Sequence, residues 1–381
     1  MSFPLFELVP RVAPRISRVV LGEFPTPVES LAAVSRELAA GSDDAWVKRD
    51  DLSSPVYGGN KVRTLELLLG DALQRGHSQV FATGAFGSNH ALATALHAPR
   101  AGLEPGALLF PQPISQAALL NLRALSKSGA RLRALPHWSA LPLGIAWLRV
   151  SAARPGPYLM TPGGATPLGA LAYASAGLEL GLQIAAHELP LPRTVIVGVG
   201  STCTSAGLLV GLALASHFRL GFEPATRPRL TSVRVSPWPV TSRLRILRLA
   251  TRTARLLYEL SERTLPLFDS ALLGERFSVD GSYLGPGYGE PSAAGAEAEA
   301  LWRRLGLAEL DSTYSAKAAA RLVAGLRARE PGPLLFWSTK SSAPLPAAHS
   351  PNIGGGQVPA RIRAWLDRAE RTLSASPWAR G

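Results

Sequence analysis

The sequence predicts an α/β fold, an open parallel sheet with helices on both faces. Three observations predict it. Apolar segments of strand length alternate with segments apolar at helical spacing along most of the chain. Thr194–Val199 is a continuous, β-branched apolar run, the pattern of a strand covered on both sides. Small-residue turns follow several of the predicted strands, where open sheets bind ligands.

In order, Pro-rich loops with one helical run, Pro27 to Ala40, fill residues 1 to 45, and Ala45 to Asp51 reads as a short strand ending in charge. Val62, Leu65, Leu68, Leu69, Ala72 and Leu73 recur at helical spacing after Gly58-Gly59-Asn60-Lys61. Strands are expected at Gln79–Thr83, Ala107–Phe110 and Arg131–Leu135, with helices from the Gly84–His90 turn through Ala101 and from Ser115 to Ser128. After the loop Thr161–Pro167 come a helix over Leu168–Gln183 and the strand Thr194–Val199. The turn Gly200–Gly207 then enters an apolar helix. A strand at Ser232–Ser236, helices over Ser242–Glu262, up to Leu305 and over Tyr314–Arg329, and a last strand Pro333–Thr339 complete the pattern. No repeat or linker divides the chain. A second lobe is therefore expected as an insertion, residues 64–176, in a larger lobe made of 1–63 and 177–381, with Lys61 at the junction.

The chain has 381 residues, 46% hydrophobic and 18% charged, which suits a large buried core and not a disordered chain. A single cysteine, Cys203, excludes an intramolecular disulfide. The N-terminus lacks a basic segment followed by an apolar core, so no signal peptide is expected. No apolar run is expected to reach the length of a bilayer. The net charge of +13 raises nucleic-acid binding, but the arginines are scattered. Their densest run (Arg243, Arg245, Arg248, Arg252, Arg255) has helical spacing and reads as one solvated face. No nucleic-acid motif accompanies it, so no nucleic-acid partner is expected.

Lys61 stands at a helix start behind two glycines. Glycines let backbone approach a ligand, and the positive end of the helix disfavours an ammonium. A lysine destabilised in this way serves as nucleophile or base near neutral pH. Taken locally, a surface lysine ahead of a helix is the plainer reading; the rest of the chain overturns it. Ser88, Asn89 and His90 open one helix at a strand end, and Ser338–Ser342 follows the last strand. Gly200, Ser201, Thr202, Cys203 and Thr204 lie between a buried strand and a helix, where backbone N–H groups and hydroxyls cradle a phosphate. A lysine with a separate phosphate cup is what pyridoxal 5′-phosphate requires.

Several segments, in order, resemble the D-cysteine desulfhydrase and 1-aminocyclopropane-1-carboxylate (ACC) deaminase family. They are Trp46–Asp51 with Gly58–Glu66, then Ser88-Asn89-His90, Pro162-Gly163-Gly164, Gly287–Pro291 and Asp311–Lys317. The likeness covers most of the chain. It implies the tryptophan-synthase-β-like fold type II of pyridoxal phosphate enzymes, two-lobed, and a cytoplasmic homodimer acting on small amino acids. By position, Lys61 would carry the cofactor and move the Cα proton, and Asn89 would bond its 3′ oxygen. Ser88 would sit near the substrate carboxylate or act as an acid/base partner. Tyr314 would stack on the pyridine ring, Tyr288 would face substrate, Gly200–Thr204 would bind phosphate and Thr339 would face the ring nitrogen. The implied reaction is β-elimination giving pyruvate, ammonia and sulfide, as in D-cysteine desulfhydrase. ACC deaminase activity is the alternative, and a degenerate member that only binds cofactor or amino acid is a non-enzymatic one. Ser315, Thr339 and His90 lean to the desulfhydrase side.

The departures are specific. The family's phosphate loop is usually Gly-Ser-Gly-Gly-Thr; Thr202 and Cys203 replace its later glycines. If those glycines supply positive φ, Thr202 and Cys203 are strained or the loop is reshaped. Lys340-Ser341 replaces a Gly-Gly, and Lys340 either pairs with an anionic substrate group or points to solvent. Cys203 has either a depressed pKa or a plain filling role, the second being the simpler. His90 and His97 share a helix face without a third ligand, so no metal site is expected. Asp50-Asp51 reads as a structural charge cluster near Lys48 and Arg49, and Trp138, Trp147 and Trp337 read as core.

Overall fold

The computed structural model describes residues 3–41, 44–151, 155–345 and 358–374. Two sheets organise the chain. The larger has the order β1 (Val28–Ser30), β2 (Ala45–Arg49), β10 (Leu334–Ser338), β7 (Thr194–Val199), β8 (Arg229–Arg234) and β9 (Phe277–Asp280). Its strands are parallel except for β1, which pairs antiparallel with β2. The smaller has the order β5 (Arg131–Ala134), β4 (Glu104–Phe110), β3 (Gln79–Ala85) and β6 (Tyr158–Leu159), all parallel. In the larger sheet the last strand, β10, lies between β2 and β7, so both ends of the chain build it.

Period-two alternation explains why β7 and β10 are buried on both sides. Val195, Val197, Val199, Leu335 and Trp337 pack towards α7 (Pro167–Ala185), α8 (Cys203–His217) and α9 (Arg243–Leu260). Ile196, Leu334 and Phe336 pack on the opposite side, with α11 (Ala293–Arg304) and α12 (Ser315–Arg327). The helices α7 and α8 approach closely because small residues meet there: a Cβ on Gly207 would lie 2.2 Å from the Ala170 carbonyl oxygen. A second core joins α3 (Asn60–Gln74), α4 (Asn89–His97) and α5 (Gln116–Lys127) to the smaller sheet.

Several expectations need correction. A helix at Pro4–Leu8 stands where loops were expected; residues 28–30 form a strand, and the helical run expected over Pro27 to Ala40 is confined to Ala32–Glu37, because Val28–Ser30 finds a partner in Trp46–Lys48. Trp337 is core, but Trp138 is 63% and Trp147 50% exposed, with Arg133 of β5 over the Trp147 ring. One helix, α7, is long and apolar enough to cross a membrane by length and composition. Within the structure 83% of its most apolar window is buried. The five arginines of α9 do form an exposed face, while Ile246, Leu249, Ala250 and Thr253 face inward.

Candidate active site

Lys61 occupies the first turn of α3, and the loop before it is held from both sides. The Gly59 N–H donates to the Asp50 carbonyl (2.8 Å), the Asn60 N–H to the Thr339 carbonyl (3.0 Å) and the Gly58 N–H to Ser341 Oγ (2.8 Å). Gly59 has φ +90°, and a Cβ there would lie 2.5 Å from the Thr339 oxygen, so both conformation and proximity require glycine. The Lys61 ammonium donates to the Gly163 carbonyl at 3.2 Å. No carboxylate lies within ion-pair distance of it among the described residues. Desolvation by the surrounding walls lowers its pKa, and Cys203 opposes that shift.

The turn Gly200–Thr204 lies beside this lysine. A Cβ on Gly163 would meet Ser201 Oγ at 2.2 Å and Lys61 Nζ at 3.4 Å, which places the lysine, the Pro162–Gly164 loop and Ser201 together. Asn60 Nδ2 donates to Thr204 Oγ1 at 3.0 Å, tying the two loops. Thr202 is left-handed (φ 72°, ψ −21°), as expected for a residue replacing a glycine there, whereas Cys203 is already the first residue of α8. No side chain caps α8, so its first N–H groups have no capping acceptor. Burial pushes the Cys203 thiol up, and the thiol donates to the Gly164 carbonyl at 3.3 Å. The filling role therefore holds for Cys203 and the depressed pKa does not.

Asn89 opens α4, and its Oδ1 accepts from Tyr57 Oη (3.0 Å) and Asn121 Nδ2 (2.7 Å). Ser88 Oγ accepts the Ala91 N–H at 3.2 Å, so it caps α4 with one lone pair and keeps its proton free to donate. Buried Thr339 gives its carbonyl to Asn60. Tyr314 lies against Gly200, where a Cβ would be 3.1 Å from its Oη, and that Oη is 3.2 Å from Tyr288 Oη. Burial raises both phenols, so each keeps its proton at neutral pH. Lys317 holds the Tyr288 loop by donating to the Leu284 and Gly287 carbonyls. Asn89, Tyr288, Tyr314 and Lys340 line one cavity together with Asn121 and Gln112. Lys340 is half-buried and does not simply point to solvent; its ammonium donates to Tyr57 Oη at 2.8 Å.

His90 is buried, neither ring nitrogen has a partner, and burial with the nearby Lys61 charge pushes its pKa to about 3. Asp50 and Asp51 are structural, as expected: Asp51 pairs with Arg49 and Asp50 with Arg63. Tyr57, Asn121 and Thr241, whose Oγ1 donates to the Gly200 carbonyl, escaped the sequence reading. Tyr57 alone had a signal, its place directly before Gly58-Gly59.

A family model described as "Pyridoxal-phosphate dependent enzyme" matches residues 19–270. The chain belongs to the pyridoxal-phosphate dependent enzyme family. It is 33% identical to a D-cysteine desulfhydrase of Salmonella choleraesuis over 89% of this chain and 98% of the relative. It is 35% identical to the nocardicin C-9′ epimerase of Nocardia uniformis over 78% of this chain and 86% of that one. Among solved structures, an ACC deaminase homologue superposes with a TM-score of 0.69 at 26% identity, covering 97% and 100% of the two chains. A tomato threonine deaminase superposes at 0.53 with 13% identity over 98% and 90%, a likeness of fold alone. The architecture is that of fold type II.

The residues present fit pyridoxal phosphate. An amine without a carboxylate partner faces the start of an uncapped helix lined by hydroxyls, the donor set that an aldehyde and a phosphate require. The ring between those two groups would run past Tyr314 and Asn89.

Proposed function

We propose that the chain is a pyridoxal phosphate-dependent lyase that deaminates small amino acids by β-elimination, with D-cysteine giving pyruvate, ammonia and sulfide. The observation that carries it is the Lys61 amine, held against the Gly163 carbonyl with no ion-pair partner and with its proton affinity lowered by burial. When bound, the cofactor supplies an electron sink conjugated to the substrate Cα. Lys61 takes the Cα proton. The Ser88 hydroxyl, its oxygen used in capping, points its proton towards the substrate carboxylate. The N–H groups of the Gly200–Thr204 turn hold phosphate, the Tyr314 ring packs against the cofactor ring and Tyr288 faces the substrate. The buried Thr339 hydroxyl faces the ring nitrogen, and a neutral partner there leaves that nitrogen unprotonated. Such a mild sink suits expulsion of a good leaving group.

The two-lobed division, 64–176 inserted into 1–63 and 177–381, is part of the same reading. It is supported by the four strands of the smaller sheet lying within residues 79–159, although α7 crosses the second boundary. A cytoplasmic homodimer belongs to the proposal too, to be checked by sedimentation and cell fractionation.

The nocardicin epimerase likeness favours a second reading, in which the Cα proton is removed and returned on the other face. The ACC deaminase homologue keeps ring opening of the cyclopropane substrate as a third. The experiment is cofactor saturation, borohydride trapping and peptide mapping, then a screen of D- and L-amino acids. Label at Lys61, lost in Lys61→Ala, with keto acid released from D-cysteine, is the expected result. Label without keto acid but with inversion in deuterated solvent selects the epimerase, and no label at Lys61 ends the enzymatic reading.

A further inference from the structure

Lys340 lines the cleft, but its ammonium is spent on a protein group. Its backbone bridges Gly59, directly before the Lys61 helix, and its Nζ lies 2.8 Å from Tyr57 Oη and 4.9 Å from that ring's centroid. Hydrogen-bond directions follow from what each group can donate. An ammonium has no lone pair, so the Tyr57 oxygen accepts from Lys340. The single phenolic proton is therefore committed to Asn89 Oδ1, 3.0 Å away. Asn121 Nδ2 donates to the Gly87 carbonyl (2.8 Å) as well as to Asn89 Oδ1 (2.7 Å), which fixes it as a donor. With two donors on its oxygen, the Asn89 amide cannot be turned round. Its Nδ2, without an acceptor among the described residues, is left for the cleft. The other charge bearing on Tyr57 is Asp311, whose carboxylate is occupied by the Thr313, Tyr314 and Ser315 N–H groups and the Ser315 hydroxyl.

We propose that Lys340 is a positioning residue acting through Tyr57. Together with Asn121 it holds the donor face of Asn89 towards the cofactor's 3′ oxygen, and it sets a cation two hydrogen bonds behind that amide. This rests on the pyridoxal phosphate reading and goes beyond it. The family resemblance expects a glycine at this position, so this chain would tune the bound cofactor in a way the resemblance does not imply. The cation disfavours a proton on the bound cofactor, and Tyr57 transmits the effect by polarising the Asn89 amide.

The test uses the reconstituted holoenzyme and reads the visible band of the Lys61-bound cofactor against pH, along with its position. In Lys340→Met the titration midpoint is expected to rise by roughly half to one and a half pH units, the range for one nearby charge between well-screened and poorly screened limits. Tyr57→Phe removes only the hydroxyl and is expected to shift it in the same direction. The double variant should fall short of the sum, because both act on one relay. Lys340→Arg should restore most of the wild-type midpoint. A merely structural role would lower the melting temperature and leave band and midpoint unmoved. That outcome in both single variants, or additive shifts, overturns the proposal. Absence of borohydride label at Lys61 in the wild type would instead overturn the reading beneath it.

Discussion

Gly163→Ala tests whether the site is built by close approach between two loops. Gly163 has φ +66° and a Cβ there would stand 2.2 Å from Ser201 Oγ, 2.3 Å from Ser201 Cβ and 3.4 Å from Lys61 Nζ. The left-handed conformation costs about 1 kcal/mol for alanine. Forcing a methyl into occupied space costs about 1–3 kcal/mol more. Loss of unfolded-state freedom returns less than about 1 kcal/mol, so a net destabilisation of about 1–3 kcal/mol is expected. Urea unfolding of the cofactor-free protein measures it, and the same variant should retain cofactor less well because the Gly163 carbonyl anchors Lys61. Gly163→Ala with Ser201→Gly removes both obstructing atoms and leaves the conformational cost of about 1 kcal/mol. Wild-type stability in the single variant, or no recovery in the double, would refute the contact as the cause.

Other substitutions probe neighbouring features. Thr202→Gly relieves a β-branched side chain at φ 72° and adds unfolded-state freedom; a gain of up to about 1 kcal/mol is expected, and a loss of stability would mean that the turn is not strained. His90 sets a pH dependence. Its folded pKa of about 3 lies below the unfolded 6.5, so the unfolded chain binds more protons between these values and stability falls as pH drops below about 6.5. At pH 5 the loss is about 2 kcal/mol, from one and a half pKa units. His90→Asn should remove that part of the slope between pH 7 and 5, and an unchanged slope would sink the assignment. Glu179→Gln leaves Lys48 and Arg63 buried against Asp50 alone; about 3–5 kcal/mol should be lost in denaturant, whereas a near-neutral change would show that water or rearrangement compensates.

What was legible in the sequence depended on local signals. The strand Thr194–Val199 was fixed by its own run of branched residues, and the lysine loop by glycines whose geometry the structure requires at Gly59. The short strands Tyr158–Leu159 and Phe277–Asp280 carry no such signal; they are strands because β3 and β8 offer them an edge. Trp138 and Trp147 misled because an aromatic residue reads as core unless one knows how little lies over it. Asn121 could not be read as part of the site. Its role comes from α5 passing beside Asn89, a contact between residues 32 apart in sequence.

The same stretch of sequence supplies both Lys61 and the framework that isolates it. Lys48, Arg63, Asp50 and Glu179 form a buried set with two charges of each sign, joined by Tyr173 and Thr26. Burial alone would raise Glu179, but Arg63 and Lys48 outweigh it and hold the carboxyl at about 2. Burial lowers Lys48 as it lowers Lys61. The difference lies in the partner: Lys48 has the Glu179 carboxylate at 2.6 Å, and Lys61 has a carbonyl at 3.2 Å. A carbonyl dipole compensates far less of a desolvated charge than a carboxylate does. Two residues along the chain, Arg63 pairs with Asp50 and Glu179, while Arg49 takes Asp51. Neutralising the interior around Lys61 without pairing it leaves its proton as the labile one, and that is the property the role proposed for it, capturing an aldehyde and then serving as a base, requires.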